Sequence, residues 1–440
     1  MSKTTTATGS KSPALVVNIN DRSALTPSSM GRIASIDIVR GVVMLLMAID
    51  HVRVYSGLPA GGPTPGIFLT RWITHFVAPA FIFLAGTSAF LHGRKSTGTG
   101  ALARFLLSRG LWLIFLELTI LRIAWTFNFD FSHYLLAGVI WVIGWCMVLL
   151  AGLIFLPTPA LAVFGLLVVF GHNILDHYAS ILVPAIQNSH WAWLAQVLYF
   201  GGPIQLGEHG PTLFVLYSIV PWIGVMALGY IFGRVMIIDS QSRRKLCLAL
   251  GTAAIALFLL LRGLNLYGDP RPWSAPAPTT TQQSHSSSSA AAAVPVPPRR
   301  PQAPAWISFL NTNKYPASLL FLLMTLGPMF IALALLEHSH GRLADTMTMF
   351  GRVPFFYYAL HIPLIHLLAV FASIFRLGYV SPWLFVNHPV LVPPAPAGYV
   401  WSLGLLYLVW GIALVVLYFP CRWFAAVKQQ RKDIKFLSYL

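Results

Sequence analysis

The residues best equipped for chemistry in this 440-residue chain are histidines and acids set inside apolar runs. In SIDIVRGVVMLLMAIDHVRVYS, Asp37 and Arg40 stand three apart, so they can pair on one helix face. Arg40 and His51 are eleven apart, which at about 100° per residue returns to the same face about 16 Å along the axis. Asp50 adjoins His51 but lies about 100° round the helix, so a partnership between them depends on side-chain geometry. A second group, TRWITHFVAP, sets Arg71 and His75 at i and i+4, with Pro79 one turn on to kink the helix and free backbone carbonyls. A third, PFFYYALHIPLIH, puts Tyr357 and Tyr358 just ahead of His361, with Pro363 after it and His366 about 140° round. Histidine, with an ordinary pKa near about 6.5, is the natural proton-transfer group in such a set.

Each group also has a plainer reading. Asp37 and Arg40 can be a structural ion pair at the membrane interface, and Asp50 to Arg53 a polar cap where the helix leaves lipid. Glu117 and Arg122, five apart, read as members of structural ion pairs, and His172 with Asp176 as a local hydrogen-bonded pair without a role. Cys146, Cys247 and Cys421 lie far apart and show no metal or redox spacing, so no metal site is expected. No P-loop, Gly-x-Ser-x-Gly elbow or His-Glu-x-x-His occurs, which removes support for nucleotide hydrolysis, serine hydrolysis and zinc proteolysis by those motifs.

The elements that must hold these residues are membrane helices. The chain is 57% apolar and 9% charged, where an average soluble domain is about 25% charged. Apolar runs of about 20 residues, enough to cross about 30 Å of hydrocarbon, fall near 36–56, 67–91, 104–126, 134–156, 159–176, 211–236, 246–264, 316–336, 353–376 and 400–420. The expected fold is an all-α polytopic membrane protein of about ten transmembrane helices. The net charge of +17 gathers beside alternate loops, with Arg94, Arg234, Arg243, Arg244, Lys245, Arg342, Arg352, Arg422 and Lys428 all on one side if ten spans alternate. By the positive-inside rule both termini are then cytoplasmic, and the basic excess is topological rather than a sign of nucleic acid.

The expected divisions are a polar cytoplasmic tail at 1–33, helices one to seven over 34–265, an extracytoplasmic disordered Pro/Ser/Ala-rich linker at 266–306, helices eight to ten over 307–422 and a basic cytoplasmic tail at 423–440. The polar start does not resemble a cleaved signal peptide. Residues 177–210 carry Trp191, Trp193, Tyr199, Glu208 and His209, which suit interfacial anchoring or stacking against a sugar.

Four segments in order, RIASIDIVRGVVMLLMAIDH, HFVAPAFIFLAGTSAFL, VPWIGVMALGYIFGR and GRVPFFYYALHIPLIHLL, resemble the bacterial relatives of heparan-alpha-glucosaminide N-acetyltransferase within the transmembrane acyltransferase superfamily. Arg40 through His51 also resembles the Arg-x10-His spacing of the family-three membrane acyltransferases, which modify cell-surface sugars. The resemblance implies acyl transfer, typically of acetyl from acetyl-CoA, to a glycan or similar small acceptor at or across the membrane. His51 is then the base, with Asp50, His75 and His361 completing the catalytic funnel and Arg40, Arg71 and Tyr358 contacting substrate. Arg40 either meets CoA or holds the helix through Asp37. The animal enzyme uses a histidine after its first span, where this chain has GLPAGGPTPG instead.

The resemblance implies acetyl-CoA as co-substrate and no permanently bound cofactor. It implies membrane lipid, acyl-CoA and acceptor as partners, no nucleic acid, room for a homodimer, and a bacterial inner (plasma) membrane location. The rival class is a proton-coupled transporter or flippase relaying protons through the same His, Asp and Arg residues.

Overall fold

Backbone amides and carbonyls in lipid have no water to bond, so an apolar run of membrane length satisfies them within itself as a helix. The apolar runs do this in the computed structural model, which describes residues 33–61, 64–187, 189–274, 304–386 and 394–431. Among the described residues six helices are long and apolar enough to cross a membrane: α2 (Pro65–Gly93), α5 (Thr158–His177), α6 (Ile219–Ile237), α7 (Ser240–Gly263), α10 (Pro354–Leu377) and α11 (Leu403–Gln430). Two shorter apolar helices, α4 (Val139–Leu153) and α8 (Leu319–Leu335), join them. Helix α1 (Ala34–Ser56) has the length, at 23 residues, but carries Asp37, Arg40, Asp50 and Arg53. Helix α3 (Thr99–Leu116) runs on through a π-turn at Glu117–Leu121 into Arg122–Thr126. The polar α9 (Arg342–Arg352) packs along α1.

Small residues set the helix spacing. A Cβ on Gly86 would collide with the Met226 carbonyl oxygen, and one on Gly229 with that of Phe83, so α2 and α6 meet backbone to backbone. The Thr87 hydroxyl reinforces the contact by donating to the Gly229 carbonyl at 3.0 Å. The α1–α9 contact has the same basis, Gly41 against the Met347 backbone and Gly351 against that of Asp37.

The purely helical expectation changes at two places. The spans read from 134 and 211 begin as helices only at Val139 and Ile219. Their first residues form β1 (Tyr134–Ala137) and β3 (Thr212–Val215), which with β2 (Gly202–Gln205) make a three-stranded sheet in the order β1-β3-β2. β1 runs parallel to β3 with Tyr134 opposite Thr212, and β2 runs antiparallel to β3. Four-residue apolar pieces bounded by Gly, Pro and Ser have no period that separates strand from helix, so hydropathy merged them with the spans that follow.

The tail at 1–32, the linker at 275–303 and the end at 432–440 lie outside the described residues. The linker's flanks are held at buried Arg262, whose guanidinium donates to the carbonyls of Phe309 at 3.0 Å, Arg271 at 2.8 Å and Ser308 at 2.9 Å.

Candidate active site

The C-terminal end of α1 is fixed by its neighbours before any reactive group is considered. Trp401 N–H donates to the Ser56 carbonyl at 2.9 Å, the Tyr399 hydroxyl to the Tyr55 carbonyl at 2.9 Å, and the Tyr55 hydroxyl to the Trp125 carbonyl at 2.6 Å. Carbonyls left over at the helix end are thereby satisfied, and the last turns cannot fray. His51 rides on this anchored segment. Its ring lies edge-on to Trp125 at 4.9 Å and to Tyr358 at 6.2 Å between centroids.

His51 Nδ1 sits 2.5 Å from Nε2 of His361, a residue of α10 that is 0% exposed. The other nitrogen of His361, Nδ1, faces the Tyr358 carbonyl at 2.8 Å and the Tyr357 carbonyl at 3.1 Å. A carbonyl only accepts, so His361 Nδ1 carries the hydrogen and, in the neutral ring, Nε2 carries the lone pair. His51 Nδ1–H must then be the donor between the rings, which leaves the lone pair of His51 on Nε2. The hydrogen-bond network thus assigns the tautomers. His51 is half-buried, and among the described residues no group hydrogen-bonds its Nε2. An imidazole so arranged can act as a base, its orientation set by a second, fully buried group.

The remaining expected residues divide between this site and the opposite end of α1. Asp50 turns to Arg53, with Oδ1 at 2.8 Å from Nε, and makes no hydrogen bond to His51. Arg71 donates to the Ala60 carbonyl and ties α2 to the loop after α1. His75 is 4% exposed, and among the described residues neither ring nitrogen has a hydrogen-bond partner. It lies in a 3-10 turn at Ile73–Phe76 because Pro79, four residues on, has no N–H to give the His75 carbonyl. Arg40 is at the far end, donating to the Leu84 carbonyl at 3.1 Å and to the Ser88 hydroxyl, with Asp37 at 3.6 Å. Arg352 from α9 approaches the same Asp37 at 3.9 Å. His366 stacks between Tyr55 at 4.7 Å and Phe127 at 3.9 Å, inside the aromatic packing.

Two readings of the lesser pairs change. Neither Glu117 nor Arg122 forms an ion pair among the described residues: the Glu117 carboxyl packs against Gly138, just before α4, where a Cβ would collide with its Oε1. Arg122 donates instead to the carbonyls of Asn128 at 2.8 Å and Tyr134 at 3.3 Å. Asp176 accepts from Asn173 at 2.6 Å and Tyr199 at 2.8 Å, while His172 reaches the Ala317 carbonyl at 2.8 Å. Sequence reading passed over Trp125, which flanks His51, and Lys314, which is 8% exposed in the loop before α8. Among the described residues no cluster of three or more His, Cys, Asp or Glu could hold a metal ion.

Fold and site together define an integral membrane protein of packed helices around an oriented histidine pair. The catalytic-domain model of heparan-alpha-glucosaminide N-acetyltransferase matches residues 32–267, more than half the chain, and the protein belongs to that family. Membership implies an acyltransferase. A search of curated proteins finds no match to the chain. The matched region holds His51, His75 and Trp125, whereas His361 and Lys314 come from beyond it.

Proposed function

We propose that this protein transfers an acyl group, typically acetyl from acetyl-CoA, to a hydroxyl or amine of a sugar or glycan acceptor, with His51 as general base. The observation supporting this most directly is the line from the Tyr357 and Tyr358 carbonyls through His361 to His51, which leaves a lone pair on Nε2 of a half-buried ring. The acceptor oxygen or nitrogen bonds to the thioester carbonyl carbon as its proton passes to His51 Nε2. The tetrahedral intermediate then collapses, the carbon–sulfur bond breaks, and the departing sulfur takes the proton back from His51 to leave as CoA thiol. While His51 is charged, its bond to His361 Nε2 is charge-assisted and so stronger. General-base help of this kind is worth about 10²- to 10⁴-fold.

The proposal includes a topology. Six membrane-length apolar helices, joined by α1, α3, α4 and α8, make ten crossings with both termini in the cytoplasm of a bacterium, and no resident cofactor or metal is required. His51 then lies toward the outer half of the membrane and Arg40 toward the cytoplasm. Reporter fusions after Arg94, within 268–304 and after Lys435 should read inside, outside and inside. A cytoplasmic 268–304 segment would overturn the ten-crossing arrangement.

The chemical test is incubation of purified protein with radiolabelled acetyl-CoA and a panel of glycan acceptors, reading labelled product and free thiol together. If no acyl-CoA is consumed while substrate is taken up into proteoliposomes, the protein is a transporter and the reading fails.

A further inference from the structure

We propose that the crevice between α1, α2 and α8 is a binding site for one hydrocarbon chain of a phospholipid drawn from the surrounding bilayer. The inference needs only that these helices lie in a membrane, and it stands apart from the acyltransferase reading.

The crevice has a volume of about 180 Å³, and its walls are apolar side chains. Val39 and Leu46 of α1 mark its length, seven residues or about 10 Å along the helix axis. Phe76 and Ala80 of α2 form a second wall, and Pro328 and Leu336 bound the third, along α8 and just past its end. Two features of the residue order make the space. Ala80 and Ala332 put a single methyl group where a longer side chain would fill the gap. Pro328, inside α8, cannot donate to the Met324 carbonyl, and a helix so interrupted bends. The crevice is not sealed, because Val42 in its wall is 37% exposed.

The walls decide what enters. A buried water needs several polar partners, whereas an apolar cavity of about 150 Å³ stays dry and takes an apolar guest. Within a bilayer the apolar guest at hand is a lipid chain. The crevice also has the polarity of an amphiphile. Next to Leu336 is Glu337, which accepts from the Ser35 hydroxyl at 3.1 Å and from Arg243 Nε at 3.0 Å. Next to Val39 is Arg40, which donates to the Leu84 carbonyl at 3.1 Å, one turn past Ala80. The apolar walls therefore give way to charged groups at one end, while the other end stops at Phe76. A phospholipid matches that order, with its headgroup level with Arg243 and its chain running toward Phe76. By the charge pattern the charged end is cytoplasmic, where basic residues attract anionic headgroups. The end of the chain then packs against Phe76, in the 3-10 turn that carries His75.

The test measures binding without turnover, so its failure is separate from failure of acyl transfer. Purified full-length protein is stripped of lipid in dodecyl maltoside, exposed to mixed micelles of phosphatidylglycerol, and examined by native mass spectrometry. One retained phospholipid per chain is expected. Ala332→Phe and Val42→Trp fill the crevice and should each lower retention about tenfold or more, since losing the burial of two methylene groups is worth about tenfold in affinity. Leu335→Trp, on a side chain of α8 that is 61% exposed and outside the crevice, should retain lipid as the wild type does. Glycerol 3-phosphate, the headgroup without chains, should not displace the lipid. The proposal is overturned if the wild type retains no phospholipid, or if both filled variants retain it as the wild type does. It is equally overturned if palmitoyl-CoA displaces the lipid, which would assign the crevice to the acyl donor, or if the protein runs as a lipid-free dimer, which would assign it to a second copy. Thermal midpoints check that the variants fold; should one not fold the other decides, and the wild-type arms decide alone if both fail.

Discussion

The two ends of α1 hold similar residue types and treat them in opposite ways. At the N-terminal end, Asp37 lies between Arg40 at 3.6 Å and Arg352 at 3.9 Å, and Arg40 continues to Leu84 and Ser88 of α2. At the other end, among the described residues, His51 Nε2 and both ring nitrogens of His75 have no hydrogen-bond partner. Burial penalises a polar group that lacks a partner and rewards one that has it. The satisfied end therefore joins helices, and the unsatisfied end is where the proposed chemistry falls.

His51→Ala breaks this contrast most sharply. Acyl transfer should fall about 10²-fold or more, with the thermal midpoint near that of the wild type, because the ring is only half-buried and its truncation empties little of the core. Near-normal transfer by a well-folded variant would remove His51 as the base and pass the role to His75 or His361.

His361→Ala comes next. It removes a positioning group, so kcat should drop about tenfold or more with little change in KM, and its pH profile should shift because the tautomer of His51 is no longer set. Residues that act as a unit are non-additive, so the His51→Ala, His361→Ala double variant should be no slower than His51→Ala alone. Additive losses in that cycle would separate the two histidines.

Arg40→Ala probes the satisfied end. Leaving Asp37 short of a partner should lower unfolding stability by about 3 kcal/mol, while the KM for acyl-CoA stays as in the wild type. A raised KM with unchanged stability would mean that Arg40 contacts CoA and that the two ends are alike. The smallest effect is expected from replacing 275–303 with a Gly/Ser linker of about ten residues. Because Arg262 already holds the carbonyls of Arg271, Ser308 and Phe309, activity should stay within about twofold. Loss of transfer with normal expression would show that the segment binds acceptor.

Much of this was legible from residue order. Ten apolar runs correspond to α1 to α8, α10 and α11, and His51, His75, His361 and Tyr358 stood out because titratable or hydroxyl groups are scarce in apolar helices. Less legible were the strands β1 and β3, too short to carry a period. The surroundings of Arg122 were not legible either, since they depend on which carbonyls the turn after α3 and the start of β1 bring to it, here those of Asn128 and Tyr134.

What the amino-acid order determined by itself is the solvent: with 57% apolar and 9% charged residues in membrane-length runs, the chain belongs in lipid, and lipid permits helices. Helical spacing also placed Arg40 and His51 on one stripe, because that spacing is a property of a single helix. Only tertiary structure decided that the stripe serves two purposes. His51 and His361 are 310 positions apart, and no local rule relates them. Their tautomers, and the lone pair left on His51 Nε2, follow from packing α1 against α10, because a hydrogen bond is decided by the atom that arrives.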